Sequence, residues 1–437
     1  MPAATQGLGT RTTIARIPVI MANFANYTLI SPKEDVDSMF NGRNWTKDGA
    51  TGSVRQYFSD QSMGEYDPVF DIYGPVTLSQ GYAAYGASGS AGAMVKEACE
   101  LADELIDFSH YDANDDGYVD LVYVFYAGFG ENDITYLKKN QLVPDPENLV
   151  WPQYLSNAGA GSYDGKRVTA CEYSNELDGY FSTAETKVLA GIGVPCHEFC
   201  HALGLPDLYN YDHDEKLMGE WDVMCDGPYN NGSHTPPSLS AYERFFMGWM
   251  TPALITEPEN LQLKNIATSN TAFLISENDS FDFSQPNTST YFLLENRQRT
   301  GWDIGIPGDG LLLTKIDKPA SNWYGINSNP DNLRVDIIEA DGLTPDYDPY
   351  NLNNGYFGKP GDAFPAGATE YLGIADHAIE HITMTDGVVY FSYRGAEPVW
   401  TATIQPVAER QTSKIIRDGQ LLICVDGRTY TVLGIQH

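Results

Sequence analysis

The sequence has no run of 18 or more apolar residues, the length a membrane-spanning helix needs, so no such helix is expected. No charged-then-apolar segment opens the chain either. Met1-Pro2-Ala3 leads into polar sequence and then Ile14–Ile20, so an export signal is expected to be missing from this chain. Basic residues are scarce: 26 Lys and Arg stand against 59 Asp and Glu, a formal net charge of −33. Such a surface repels nucleic acid and anionic lipid, which excludes both as partners. Cysteines are also few. Cys99, Cys171, Cys196, Cys200, Cys225 and Cys424 are too sparse for a disulfide framework. Cys196 and Cys200 lie one helical turn apart, where a bridge would be awkward, so buried thiols are expected.

What is present is enough apolar residue, 42% of 437, for more than one packed interior. Ile17–Phe24 reads as a buried strand, Ser53–Ser62 as a helix, and Tyr66–Thr77 as strand and turn. Gly92–Phe108 has the periodicity of an amphipathic helix, with Met94, Ala98, Leu101, Leu105 and Ile106 as its apolar stripe. Leu121–Gly128 is a continuous β-branched and aromatic run, the signature of a central strand buried on both faces. Residues 133–182 are polar and turn-rich and read as long loops with short strands. Thr186–Leu203 and Pro237–Trp249 read as helices, with Pro195 either kinking the first or marking its first turn.

Beyond about residue 250 short strand-like runs alternate with Gly, Pro, Asn and Asp turns. They are Leu261–Leu263, Thr271–Ser276, Tyr291–Glu295, Gly310–Ile316, Leu333–Glu339 and Val388–Tyr393. The expected architecture is α+β. Residues 1–250 would form a catalytic domain, a twisted sheet packed by one functional helix. Residues 251–395 would form a β-rich domain, and 396–437 a tail or small hairpin around Asp426-Gly427.

The chemistry is concentrated in His197-Glu198-Phe199-Cys200-His201. Histidines at i and i+4 project from one helix face and can reach one zinc ion. Glu198 follows the first ligand and can hold the metal-bound water without binding the metal. Zinc brings that water's pKa toward about 7, and the carboxylate takes its proton. The continuation Ala202-Leu203-Gly204-Leu205-Pro206-Asp207 strengthens the signal. Gly204 can end the helix in the left-handed conformation, Pro206 prevents its resumption, and Asp207 returns toward the metal. This resembles the metzincin pattern H-E-x-x-H-x-x-G-x-x-H, with Asp207 at the position of the third ligand. His213, in an acidic loop, and Glu243, on the later helix, are chemically valid rivals for that role. Trp221–Gly227 is placed to form a Met-turn with Met224 as the apolar floor. Tyr229 could donate a hydrogen bond to an oxyanion.

These segments resemble the immune inhibitor A-like secreted bacterial metallopeptidases over roughly residues 15–395. Ser53–Ser62, Gly64–Thr77, Asp112–Gly128, His197–Tyr209, Trp221–Gly227, Pro237–Trp249, Leu294-Glu295-Asn296-Arg297 and Gly310-Leu311-Leu312 carry the resemblance. It implies an exported zinc endopeptidase, stabilised by calcium, whose relatives carry a signal sequence and propeptide not visible here. Ile416–Gly434 resembles the C-terminal tails of exported Bacteroidetes proteins.

Asp112–Asp120 resembles the start of an EF-hand loop. Asp112, Asn114, Asp116, Tyr118 and Asp120 fall at ligand positions 1, 3, 5, 7 and 9, with Gly117 at the sharp turn. Position 12 is Tyr123 rather than Glu, so a shortened structural calcium loop is expected, with Asp107 as a possible further ligand. The functional expectation is a secreted zinc endopeptidase cutting extracellular proteins or glycoproteins. His197, His201 and Asp207 would bind the metal, and Glu198 would act as base and then acid. The alternative is a catalytically silent zinc-fold binding protein at the cell surface, and a third reading is an exopeptidase.

Overall fold

The computed structural model describes residues 14–86, 90–209, 218–317, 326–327, 329, 333–343 and 358–398, with the backbone of three further strands after residue 411. His213 lies outside the described residues. By its contacts the chain divides into two compact units, Met1–Gly395 and Ala396–His437.

The first unit begins with a five-stranded sheet. Its strands are β1 (Arg16–Asn23), β2 (Val69–Thr77), β4 (Val122–Phe129), β5 (Gln153–Leu155) and β8 (Cys171–Leu177), in the order β2-β1-β4-β8-β5. The first four run parallel, and β5 closes one edge antiparallel to β8. β4 is central, and all eight of its residues are buried, as its unbroken apolar run predicts. β8 falls within the stretch expected to hold long loops and short strands. Its sequence, Cys-Glu-Tyr-Ser-Asn-Glu-Leu, is largely polar, yet every residue is buried. Internal partners satisfy some of these side chains, though neither carboxyl oxygen of the buried Glu172 finds one. Glu176 accepts from the backbone N–H groups of Ile30, Ser31 and Gly128, and Ser174 hydrogen-bonds Tyr123. A small sheet of β3 (Tyr118–Val119), β6 (Gly161–Tyr163) and β7 (Lys166–Val168) lies in the order β3-β7-β6.

Helices α1 (Lys33–Asn41) and α2 (Val54–Gln61) pack on one face of the main sheet, whose core also holds Val19, Phe70, Tyr123 and Phe125. Ser53 caps α2 by accepting from Gln56 N–H. Helix α3 (Ala91–Ala102) packs with the opposite-face residues Ile20, Val76, Val122 and Val124. It ends six residues earlier than the periodicity predicts. Leu101 and Leu105 are 44% and 54% exposed, so its apolar stripe is narrower than expected. Asp107 instead caps a separate single turn at Phe108–Tyr111. A short α4 (Ile134–Lys139) follows β4.

The functional helix α5 spans Gly193–Ala202, seven residues shorter at its start than expected, with Pro195 in its first turn. A Cβ on Gly193 would lie 1.9 Å from the Pro228 carbonyl oxygen, so glycine lets the helix start against residues 227–229. Helix α6 (Ala241–Met247) starts later than expected. Ser240 and Glu243 form a capping box, and Gly248 ends the helix at φ 76°.

The strands after residue 250 build two antiparallel-rich layers. One combines β9 (Ala253–Leu254), β11 (Phe273–Ile275), β12 (Thr290–Arg297), β13 (Gly310–Asp317) and β14 (Val335–Ile337), in the order β14-β13-β12-β11-β9. The other combines β10 (Glu259–Leu263), β15 (Ile379–Thr385) and β16 (Val388–Tyr393), in the order β10-β16-β15. β12 and β13 alternate strictly between two interiors. Phe292, Leu294, Leu311 and Leu313 pack with Ile382, Val389 and Phe391 of the smaller sheet. Tyr291, Leu293, Leu312 and Ile316 join the core of α5, Met224 and α6. One hydrophobic interior therefore runs across residue 250. The second unit is a sheet of β17 (Thr412–Arg417), β18 (Gln420–Val425) and β19 (Arg428–Thr431), paired antiparallel in that order. Among the described residues no helix is long and apolar enough to cross a membrane.

Candidate metal centre

The i, i+4 spacing puts both motif histidines on one face of α5. His197 and Glu198 are each 8% exposed. Ligand atoms of His197, Glu198 and His201 all lie within 4.8 Å of one another. Both imidazoles are held from behind. His197 Nδ1 is 2.8 Å from the Val223 carbonyl oxygen, and His201 Nδ1 is 2.8 Å from that of Leu205. A carbonyl only accepts, so Nδ1 carries a proton in each ring and Nε2 is the nitrogen left to bind a metal.

After Ala202 the chain reverses as the sequence predicts. Gly204 takes φ 103°, and Leu205 N–H closes on the Cys200 carbonyl at 2.9 Å. Asp207 thereby arrives opposite the imidazoles. Its Oδ1 lies 3.2 Å from His197 Nε2 and 3.2 Å from His201 Nε2. Ligand atoms on a tetrahedral zinc with bonds of roughly 2.0–2.1 Å are separated by about 3.3 Å, and each of these two separations suits a pair of ligands on such an ion. Of the rivals, Glu243 stands at the start of α6, where its Oε2 accepts from Ser240.

The electrostatics agree with a site built for a cation: with no ion bound, Nε2 of His197 holds a proton toward Asp207, in the place a metal would take. Burial alone would depress the His197 pKa, but the Asp207 hydrogen bond and the charges of Glu198 and Asp207 lift it to about 9. Burial would raise Asp207, yet the two imidazoles outweigh it and hold the carboxylate far below its usual range. Burial lifts Glu198 above its ordinary value against the pull of both histidines.

Three contributors escaped sequence reading because they act through the backbone. Tyr154, on the edge strand β5, donates its N–H to Glu198 Oε2 at 2.7 Å, and its ring lies 6.3 Å from that of His201. Val223 and Leu205 supply the carbonyls that orient the histidines. Met224 is fully buried in the shared core, and its carbonyl receives Leu208 N–H at 2.8 Å, tying the Met-turn to the Asp207 segment. Tyr229 keeps 45% of its surface exposed, and the charges of Asp133, Glu198 and Asp226 act on its phenol, to which the Asn132 side chain is bonded. Burial and these charges raise the Tyr229 pKa, so the phenol keeps its proton at neutral pH.

The Asp112–Asp120 loop is organised differently from the expectation. Asp112 accepts from Asp116 N–H, Gly117 N–H and the Lys166 ammonium, the last at 2.7 Å. Lys166 also reaches Asp115 at 3.0 Å. Asn114 and Asp116 accept from Asp116 and Tyr118 N–H groups, and Asp120 from Ala113 N–H. Asp107 bonds Ser109. Lys166 supplies the positive charge that the sequence reading sought from calcium, and this geometry lends the calcium expectation no support. The five described cysteines are buried free thiols.

Residues 32–250 match the family described as immune inhibitor A peptidase M6, catalytic domain. Immune inhibitor A of Bacillus thuringiensis subsp. alesti is 26% identical over 226 residues, covering 44% of this chain and 31% of that protein. Pre-pro-metalloprotease PrtV of Vibrio cholerae serotype O1 (strain M66-2) is 24% identical over 254 residues, covering 51% of this chain and 26% of that protein. The match thus spans less than a third of either relative's length.

Proposed function

Because this chain belongs to the immune inhibitor A peptidase M6 family, with residues 32–250 its metallopeptidase catalytic domain, we propose that it is an exported zinc endopeptidase with a metzincin-like ligand set. Its substrates in this reading are extracellular proteins or glycoproteins. The observation that carries the proposal is the pair of 3.2 Å separations between Asp207 Oδ1 and the two histidine Nε2 atoms.

His197, His201 and Asp207 would hold the ion. Bound zinc supplies Lewis-acid polarisation of the scissile carbonyl and acidifies a water. Glu198 keeps Oε2 on the Tyr154 N–H, which leaves Oε1 to take the proton of the attacking water and return it to the leaving amine. Tyr229, whose phenol stays protonated at neutral pH, would donate to the carbonyl oxygen as it gains charge. A calcium ion at Asp112–Asp120 would have to displace Lys166, so calcium is a separate proposal rather than part of this mechanism.

The test is hydrolysis of an unfolded protein by the zinc-loaded chain, beside Glu198→Ala and a chelator control. Fragments lost in both controls support the reading, and cleavage of end-blocked peptides separates an endopeptidase from an exopeptidase. Stoichiometric zinc on a folded chain without turnover would overturn it in favour of a binding role.

A further inference from the structure

Under the metal site lies a second pair of carboxyl groups that the reaction does not use. Asp222 belongs to the Met-turn, and Glu243 to the first turn of α6. Both are fully buried, at 0% exposure. Each has one satisfied oxygen: Asp222 Oδ1 accepts Met224 N–H at 2.7 Å, and Glu243 Oε2 accepts Ser240 N–H at 2.6 Å and Ser240 Oγ at 3.0 Å. The other two oxygens, Asp222 Oδ2 and Glu243 Oε1, find no donor. The two side chains are within hydrogen-bonding reach of each other.

Among the described residues the neighbourhood holds no spare cation for them. Arg297 is the nearby guanidinium, and its five N–H donors are taken. Nε and Nη2 go to Asp303, Nη1 to Glu295 and the Trp221 carbonyl, and Nη2 again to the Ser238 carbonyl. The other groups facing the pair are Glu295 from β12, Tyr57 from α2, Cys200 from α5, Cys225 from the Met-turn and Tyr242 from α6. None of them brings positive charge. Two carboxylates so close in a dry interior repel, whereas one proton between them satisfies both orphan oxygens at once.

We propose that Asp222 and Glu243 share a single proton, and that this carboxyl–carboxylate bond fixes the Met-turn beneath the metal site. The path to the metal is short. Asp222 anchors Met224 N–H, and between them Val223 presents the carbonyl that orients His197. Asp222 and Glu243 are therefore positioning residues, and their meaning for zinc rests on the ligand assignment above. Burial and the proximity of Asp222 raise the Glu243 pKa well above its ordinary value, and burial raises that of Asp222 as well. The folded chain thus retains a proton that the unfolded chain releases near the ordinary glutamate value of 4.5. Stability from the pair is full below that value and falls as pH rises through the folded pKa.

The test uses the full chain with Glu243→Gln, Asp222→Asn and Glu243→Ala. An amide at either position supplies the shared hydrogen without titrating. Three quantities are read: the thermal midpoint of the metal-free chain from pH 5 to 9, the infrared C=O band of a protonated carboxyl at pH 7, and zinc affinity. Glu243→Gln is expected to lose part of the protonated-carboxyl band. It should flatten the alkaline fall of the midpoint and hold zinc within about threefold of wild type. Glu243→Ala is expected to weaken zinc by about tenfold or more, the scale for groups that orient ligands. Should Glu243→Ala fail to fold, the amide variants still decide through band and pH profile. An unchanged band and pH profile in Glu243→Gln would overturn proton sharing, and Gln losing as much zinc affinity as Ala would overturn the positioning role. Absence of peptide cleavage by the wild type would leave all three readouts intact, so the two proposals fail separately.

Discussion

Replacing Arg297 by Met should destabilise the first unit more than any single surface change. The guanidinium side chain is 1% exposed and lies between Glu295 at 3.1 Å and Asp303 at 2.6 Å, both buried. Met fills a similar stem volume but leaves two carboxylates without their cation. Each retains one backbone donor, Ala241 N–H for Glu295 and Ser238 N–H for Asp303. Removing one partner of a buried ion pair costs about 3–5 kcal/mol, and the orphaned Trp221 and Ser238 carbonyls add to the loss. Arg297→Lys keeps the charge but has three donors for five bonds, so an intermediate cost of about 1–3 kcal/mol is expected. The control is Arg299→Met. Its ion pair with Asp309 leaves the arginine side chain 52% exposed, which limits the effect to about 0–1 kcal/mol. Urea unfolding followed by circular dichroism reads all three, the midpoint shift multiplied by the slope giving the loss. A loss below about 1 kcal/mol for Arg297→Met, or equal losses at Arg297 and Arg299, would refute the claim that this buried ion-pair network stabilises the first unit.

Asp207→Asn should weaken zinc by at least about tenfold while leaving the fold intact, measured by competition with a fluorescent chelator. Gly193→Ala places a methyl against the Pro228 carbonyl and should cost about 1–3 kcal/mol of stability, visible in the same urea assay; an unchanged midpoint would show that the close approach is dispensable. Asp133, lifted by burial to about 7 from an ordinary 3.8, makes the folded chain hold a proton that the unfolded chain gives up. Stability should therefore fall as pH rises from about 4 to about 7 and level off above, and Asp133→Asn should remove that slope from a pH series of thermal midpoints. Lys166→Ala should leave the Asp112–Asp120 loop short of positive charge, so added calcium should raise the variant's thermal midpoint more than the wild type's.

The site was legible where side chains follow helix periodicity. His197, Glu198 and His201 lie within five consecutive positions of one helix, and Gly204 with Pro206 announces the reversal that delivers Asp207. It was illegible where the backbone does the work. Tyr154, Val223 and Leu205 contribute an N–H or a carbonyl, which any residue type could supply. β4 was readable because its apolar run has one meaning. Its neighbour β8 was not, because Glu172, Ser174, Asn175 and Glu176 are buried polar residues, and pattern reading assigns such residues to solvent. Helix ends erred for local reasons: α3 stops at Ala102 although apolar residues continue, and α5 waits for Gly193.

The two-sided use of β12 restricts how the chain can change in length. Leu293 and Leu294 are neighbours in sequence but face different interiors. Inserting or deleting one residue within Thr290–Arg297 would exchange those faces along the rest of the strand, sending Glu295 and Arg297 to the wrong side together. Such a change would damage the sheet sandwich and the floor of the metal site in a single step. Length variation among related chains should therefore collect in the turn before β12, around residues 277–289, and stop at Thr290.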